Sequence, residues 1–166
     1  MSLKIRLYGD AVLRKKCEPV KNFDAGLQKF IDNLVETLID AGGAGLAAPQ
    51  VGKSSAIIAV NPTLFDPDSK PFVLINPHIV DQSGEIIQEE GCLSFPGIYE
   101  EVKRPARVVI KSLTKDGKEV EMESREILAR VFAHEIDHLN GILFIDHISL
   151  VRRELLKGKL KELKKR

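Results

Sequence analysis

His134-Glu135-Ile136-Asp137-His138 lies inside an apolar run with helical spacing, and this constrains the fold more than any other segment. Ile127, Leu128, Val131, Phe132, Ile136 and Leu139 make a buried stripe that Asn140-Gly141 ends. On a helix, residues four apart share a face one turn apart, so both imidazoles can reach a single ion. Glu135 then stands beside that ion, placed for proton transfer rather than ligation. Such a helix has to be covered along its apolar stripe, which puts it at the centre of the fold.

The rest of the chain supplies that cover. Asp24 reads as an N-cap, followed by Leu27, Phe30, Ile31, Leu34, Val35 and Leu38 at helical spacing and a stop at Gly42-Gly43. Ala56 to Val60, Phe72 to Ile75, Ile79 to Ile87, Tyr99 to Val102 and Arg107 to Leu113 read as strands, punctuated by Pro62, Pro67, Pro71 and Pro77. Asp116-Gly117 is a hairpin turn with Lys118 to Met122 as its return strand. Leu150 to Lys164 predicts a last, more polar helix. The expectation is one α+β domain over residues 1–166. Mixed, mostly antiparallel strands surround the central helix, with an N-terminal helix and a basic C-terminal helix at 150–166.

With 166 residues, 43% apolar and 30% charged, the chain can bury a real core. A net charge of +1 gives no whole-protein case for nucleic acid or membrane. Yet Arg152 to Arg166 holds eight basic against two acidic residues, which leaves a mildly acidic body and a basic tail suited to docking or to plain solvation. Two cysteines, Cys17 and Cys92, make no disulfide framework. Met1 to Asp10 does not read as a secretory leader, and a reducing, cytoplasmic setting is expected.

A catalytic site of this kind takes a third protein ligand and keeps a position for water. Cys92, in Glu89-Glu90-Gly91-Cys92-Leu93-Ser94, offers a thiolate, a good ligand for zinc or ferrous iron. A metalloprotease on the same pentapeptide would take its ligand downstream, from His147, Glu154 or Glu162. A non-catalytic, metal-stabilised binding module would close the site with four protein ligands and leave Glu135 without a task. Cys17 reads as a small buried or simply exposed residue, and His78 as structural. A further segment, Gly43-Ala44-Gly45-Leu46-Ala47-Ala48-Pro49-Gln50, reads as a loop of small residues ending in an amide.

Taken in order, these three segments resemble the signature motifs of the peptide deformylases. Gly43, Gly45, Leu46, Ala47, Ala48 and Gln50 match the first motif. Glu90 to Ser94 match the second, and His134, Glu135, Asp137 and His138 the third. The likeness extends to Val12-Leu13-Arg14, Asn76-Pro77 and Leu139-Asn140-Gly141, and so spans essentially the whole chain. Ala44 departs from the larger aliphatic residue usual there, and Ala11 from a common proline in what reads as an N-terminal strand.

The resemblance implies a hydrolase that removes the formyl group from the N-terminal formylmethionine of newly made proteins and releases formate. It implies one divalent ion on Cys92, His134 and His138. That ion would be ferrous iron in the cell, with zinc, nickel or cobalt able to replace it in purified protein. Glu135 would serve as general base, while the Gln50 amide and the Leu93 backbone N–H would meet the developing oxyanion. Gly45 would let the substrate backbone lie close, and Ala44 and Val131 would line the methionine pocket. Glu90 and Asp137 would orient the ligands, with Arg104 as an ion-pair partner for Glu90. The expected partners are nascent formylmethionyl polypeptides and the ribosome, reached through Arg152, Arg153, Lys157, Lys159 and Lys161. A monomer without membrane attachment is expected.

Overall fold

Asp24 caps the first helix as its position predicts, its side chain accepting the Leu27 N–H at 2.9 Å. In the computed structural model, which describes residues 1–166, this helix (α1) runs Ala25–Ala41. It ends at Gly42, whose φ of 70° is the left-handed conformation that closes helices.

Five strands form one sheet: β1 (Gly45–Ala47), β2 (Ile57–Val60), β3 (Phe72–Ser83), β6 (Arg107–Leu113) and β7 (Glu119–Arg125). They lie in the order β1-β2-β3-β6-β7. The remaining two, β4 (Ile86–Gly91) and β5 (Tyr99–Arg104), make a separate two-stranded sheet. Every pairing within the sheets is antiparallel.

Three expectations need correction. Ile79 to Ile87 is not a strand of its own: β3 runs unbroken through Pro77 to Ser83, and β4 starts after Gly84-Glu85. Pro77 fits because it sits at the register shift between Ile75 and His78, where its missing N–H costs no ladder bond. Asn76 beside it adopts φ 52°, and its side chain joins both the N–H and the C=O of Val20, at 2.8 and 2.9 Å. Secondly, the small-residue segment at 43–50 is not all loop, since it contains β1 and a 3-10 turn over Ala48–Val51. Thirdly, Ala11 belongs to a 3-10 turn, Ala11–Arg14, capped by Asp10, and not to a strand.

Alternation along the strands divides the core between two faces. Ile57, Ala59 and Ile75 pack with Leu27, Ile31, Leu34 and Leu38 of α1. Ile58, Val60, Leu74, Val108 and Ile110 pack with Ala129, Phe132, Ile136 and Leu139 of α2 (Glu126–Leu139). Helix α2 touches strands of both sheets and is buried on most of its circumference, but Ile127, expected in its buried stripe, is 48% exposed at the start of the helix. The last helix, α3 (Leu150–Lys164), starts at a Ser149 cap and buries Leu156, Leu160 and Leu163 against Phe95, Val102 and Phe144. Cys17 lies buried in the α2 cluster and His78 is exposed on β3. No helix is long and apolar enough to cross a membrane.

Candidate metal centre

Two elements converge on one point. Strand β4 ends at Gly91 and delivers Cys92; helix α2 delivers His134 and His138 one turn apart. Their ligand atoms all lie within 4.8 Å of one another, and Cys92 Sγ is 3.3 Å from His138 Nε2. Donors around a tetrahedral ion stand roughly 3–4 Å apart, given metal–sulfur and metal–nitrogen bonds of about 2.3 and 2.1 Å. The observed spread closes on an ion with slight side-chain adjustment. One sulfur and two imidazole nitrogens are a soft-to-borderline set that suits a divalent transition metal.

The ring orientation of His134 supports the fit. Its Nδ1 lies 2.6 Å from Glu90 Oε2, which turns Nε2 toward the sulfur and fixes the tautomer. Glu90 is buried and also receives Arg104 at 3.0 and 2.7 Å and Arg130 at 2.9 Å. Burial alone would raise the Glu90 carboxyl. Hydrogen bonds from His134 and Arg104 outweigh it and hold the group well below the usual carboxylate range. Burial, helped by the neighbouring His134, lowers His138 well below its ordinary value and so favours the neutral imidazole that can ligate.

Glu135 stands next to this cluster and outside it, with Oε1 3.9 Å from His134 Nε2. Its Oε2 is buried and has no hydrogen-bond partner in the protein. Burial pushes its carboxyl up to about 7, where a carboxyl group can both take and return a proton near neutrality. Gly45 makes room for it: a Cβ there would meet the Glu135 side chain at 2.7 Å. A side chain at 45 would therefore displace the Glu135 side chain, a reason for the glycine that the residue pattern alone does not reveal.

Gln50 is locked in place from both ends. Its Oε1 accepts the Ala47 N–H at 2.9 Å, while Nε2 donates to Ser94 Oγ at 3.1 Å and toward Cys92 Sγ at 3.4 Å. The Leu93 N–H donates to no group of the protein. A cleft of about 430 Å³ is lined among others by Gly43, Ala44, Gly45, Leu93, Tyr99 and Val131, while Gln50 is fully buried and not part of that lining. Val131 lines this cleft and also packs against the α2 core. A larger cavity of about 680 Å³ between α1 and the β6–β7 turn holds no histidine or cysteine.

His147 is engaged elsewhere, 2.8 Å from Asp137 Oδ2 and 3.4 Å from Arg104 Nη1, and does not join the cluster. Glu154 and Glu162 pair with Lys157 and Lys165 on the exposed side of α3. Arg104 meets Glu90 as its charge suggests, and it also reaches Asp137 at 2.6 Å. Arg130 and Ser94 are the members that sequence reasoning misses. For Arg130 the signal is present: an arginine in a buried stripe, one turn before His134, has to be paired.

The chain matches the family model described as "Polypeptide deformylase" over residues 2–154. It is 50% identical over 159 residues to the peptide deformylase of Thermodesulfovibrio yellowstonii, covering 96% of each chain. It is 45% identical over 161 residues to that of Thermotoga maritima, covering 96% of this chain and 95% of the other. Among solved structures, that of a peptide deformylase from Legionella pneumophila superposes with a TM-score of 0.91. Its sequence is 41% identical, and the likeness covers 99% of this chain and 96% of the other.

The geometry predicts a difference between two single variants analysed for bound metal by mass spectrometry. Cys92→Ala should lose most of the metal that the wild type retains on isolation, and His147→Ala should keep it. The reverse pattern would show that the third ligand has been misplaced.

Proposed function

The chain belongs to the polypeptide deformylase family, and from that premise we propose that Cys92, His134 and His138 hold one divalent ion beside which Glu135 acts as the base. The enzyme is a hydrolase that removes the formyl group from N-terminal formylmethionine and releases formate. The observation that carries the site assignment is the buried, unpartnered Glu135 oxygen next to three donors gathered from two elements.

An ion bound there supplies Lewis acidity, which acidifies water and polarises a carbonyl. Glu135 takes a proton from the attacking water as its oxygen bonds to the formyl carbon. When the carbon–nitrogen bond breaks, Glu135 returns that proton to the leaving amine. The charge that develops on the formyl oxygen is met by the Gln50 amide and the Leu93 N–H. Gln50 is suited to this because Ala47 and Ser94 fix its orientation before substrate arrives.

Substrate enters as a strand. Ala47 directs its N–H away from β2 toward Gln50, and alternation makes Gly45 expose its N–H and C=O on the same free edge. The cleft lies between this edge and β4, so a peptide can pair there as an added strand. Ala44 and Val131 line the pocket for the methionine side chain. The short Ala44 leaves that pocket wider than a larger aliphatic residue would.

Ferrous iron is the ion we assign in the cell. The same donors accept zinc, nickel or cobalt. Residues 1–166 act as one catalytic unit, a monomer in the cytoplasm, where Cys92 stays reduced. The basic residues of α3, Arg152, Arg153, Lys157, Lys159 and Lys161, flank its buried leucines and dock on ribosomal RNA phosphates near the emerging chain. Ribosome co-sedimentation should then weaken steeply as salt rises. Binding indifferent to salt, or to deletion of residues 150–166, would remove the docking role.

Protein purified anaerobically with ferrous iron should release formate from a formyl-Met peptide. Glu135→Gln, loaded with the same metal, should lose nearly all of that activity. Gln50→Ala should fall by about 10²–10³ in rate, the usual effect of losing one oxyanion donor. Undiminished turnover by Glu135→Gln would exclude it as the base.

A further inference from the structure

Arg130, buried beside Glu90, is a charged group to which the deformylation chemistry gives no task. Its side chain leaves α2 one turn before His134 and crosses to the β4–β5 sheet. Nη1 donates to Glu90 Oε1 at 2.9 Å and to the Val102 carbonyl at 2.9 Å, and Nη2 donates to the Ile86 carbonyl at 2.7 Å. One planar fork therefore grips β4 at Ile86, β5 at Val102 and the carboxylate two residues before Cys92. Among the side chains of α2, Arg130 alone bonds to the main chain of both strands.

This matters because of how the site is divided. Strands β4 and β5 pair with each other and with no strand of the larger sheet. The sulfur is carried by this small hairpin and the imidazoles by α2, so the ligand set depends on the height at which the hairpin rides on the helix. Arg104 belongs to β5; its bonds to Glu90 stay within the hairpin, and its one tie to α2 runs side chain to side chain, to Asp137 at 2.6 Å, without holding the main chain of either strand. A lysine at 130 could carry the charge but not the fork, because an ammonium is a point donor on a flexible stem.

We propose that Arg130 is a positioning residue: by clamping Ile86, Val102 and Glu90 to α2, it sets the Cys92 sulfur at the level where it and the two imidazoles close on one ion. This rests on the ligand reading above. It adds a residue that borders the cleft yet spends its hydrogen bonds on two backbone carbonyls and Glu90, so that its effect on the ligand set passes through the hairpin.

The test uses the cobalt(II)-loaded enzyme, read by visible absorption and by competition with a chromogenic chelator, for wild type, Arg130→Met and Arg130→Lys. Wild type should show thiolate-to-cobalt charge transfer. Arg130→Met should fold cooperatively yet bind cobalt about 10–100-fold more weakly, as loss of an outer hydrogen-bond partner usually does, with a diminished charge-transfer band. Arg130→Lys should show the same defect in smaller measure, and it carries the comparison should the methionine variant not fold. Variants that melt at lower temperature but bind cobalt with wild-type affinity and spectrum would overturn the proposal, leaving Arg130 as stabilising only. Absence of thiolate charge transfer in the wild type would instead refute the ligand reading, and the proposal with it.

Discussion

Glu90 is buried, and a carboxylate taken out of water costs several kcal/mol unless its lone pairs are filled. Here they are filled by four hydrogen bonds, two from Arg104, one from Arg130 and one from His134. Arg104 comes from β5 and both Arg130 and His134 from α2, so the carboxylate ties β4, β5 and α2 to one another. It also decides which nitrogen of His134 faces the sulfur. Removing one partner would leave a buried charge short of a bond, a larger penalty than the pair contributes when intact.

The same economy of space governs the cleft. The helix that carries His134, Glu135 and His138 sits against the edge strand β1. Glu135 and Gly45 share that space: the absence of a Cβ at 45 admits the Glu135 side chain. The carboxyl group is buried there, with one oxygen unpaired. Gln50 follows from the same segment. The chain turns through Ala48–Val51 directly after β1, and the Ala47 N–H that would otherwise go unused at the strand edge holds the amide.

What the sequence discloses and what it withholds divide by distance along the chain. Local signals read correctly: the Asp24 cap, the Gly42 stop, the Asp116-Gly117 turn and, apart from the exposed Ile127, the stripe of α2 are as their spacing predicts. The motif residues meet as expected, since Cys92, His134 and His138 form one cluster. Non-local choices do not show. Pro77 reads as a break because nothing nearby reveals that a register shift will absorb it. Strand β1 is invisible in three small residues whose partner lies beyond Gln50. Arg130 gives only half its meaning, that it has to be paired. Its acceptors at Ile86, Glu90 and Val102 are 44, 40 and 28 residues away.

The central claim is that one ion is held by one sulfur and two imidazole nitrogens, with a position left for water. X-ray absorption at the metal edge of the zinc-loaded enzyme tests this most directly. The account predicts a single sulfur near about 2.3 Å, two imidazole nitrogens near about 2.0–2.1 Å and one further light atom supplied by solvent. A shell without sulfur, or one completed by a fourth protein ligand, would contradict it.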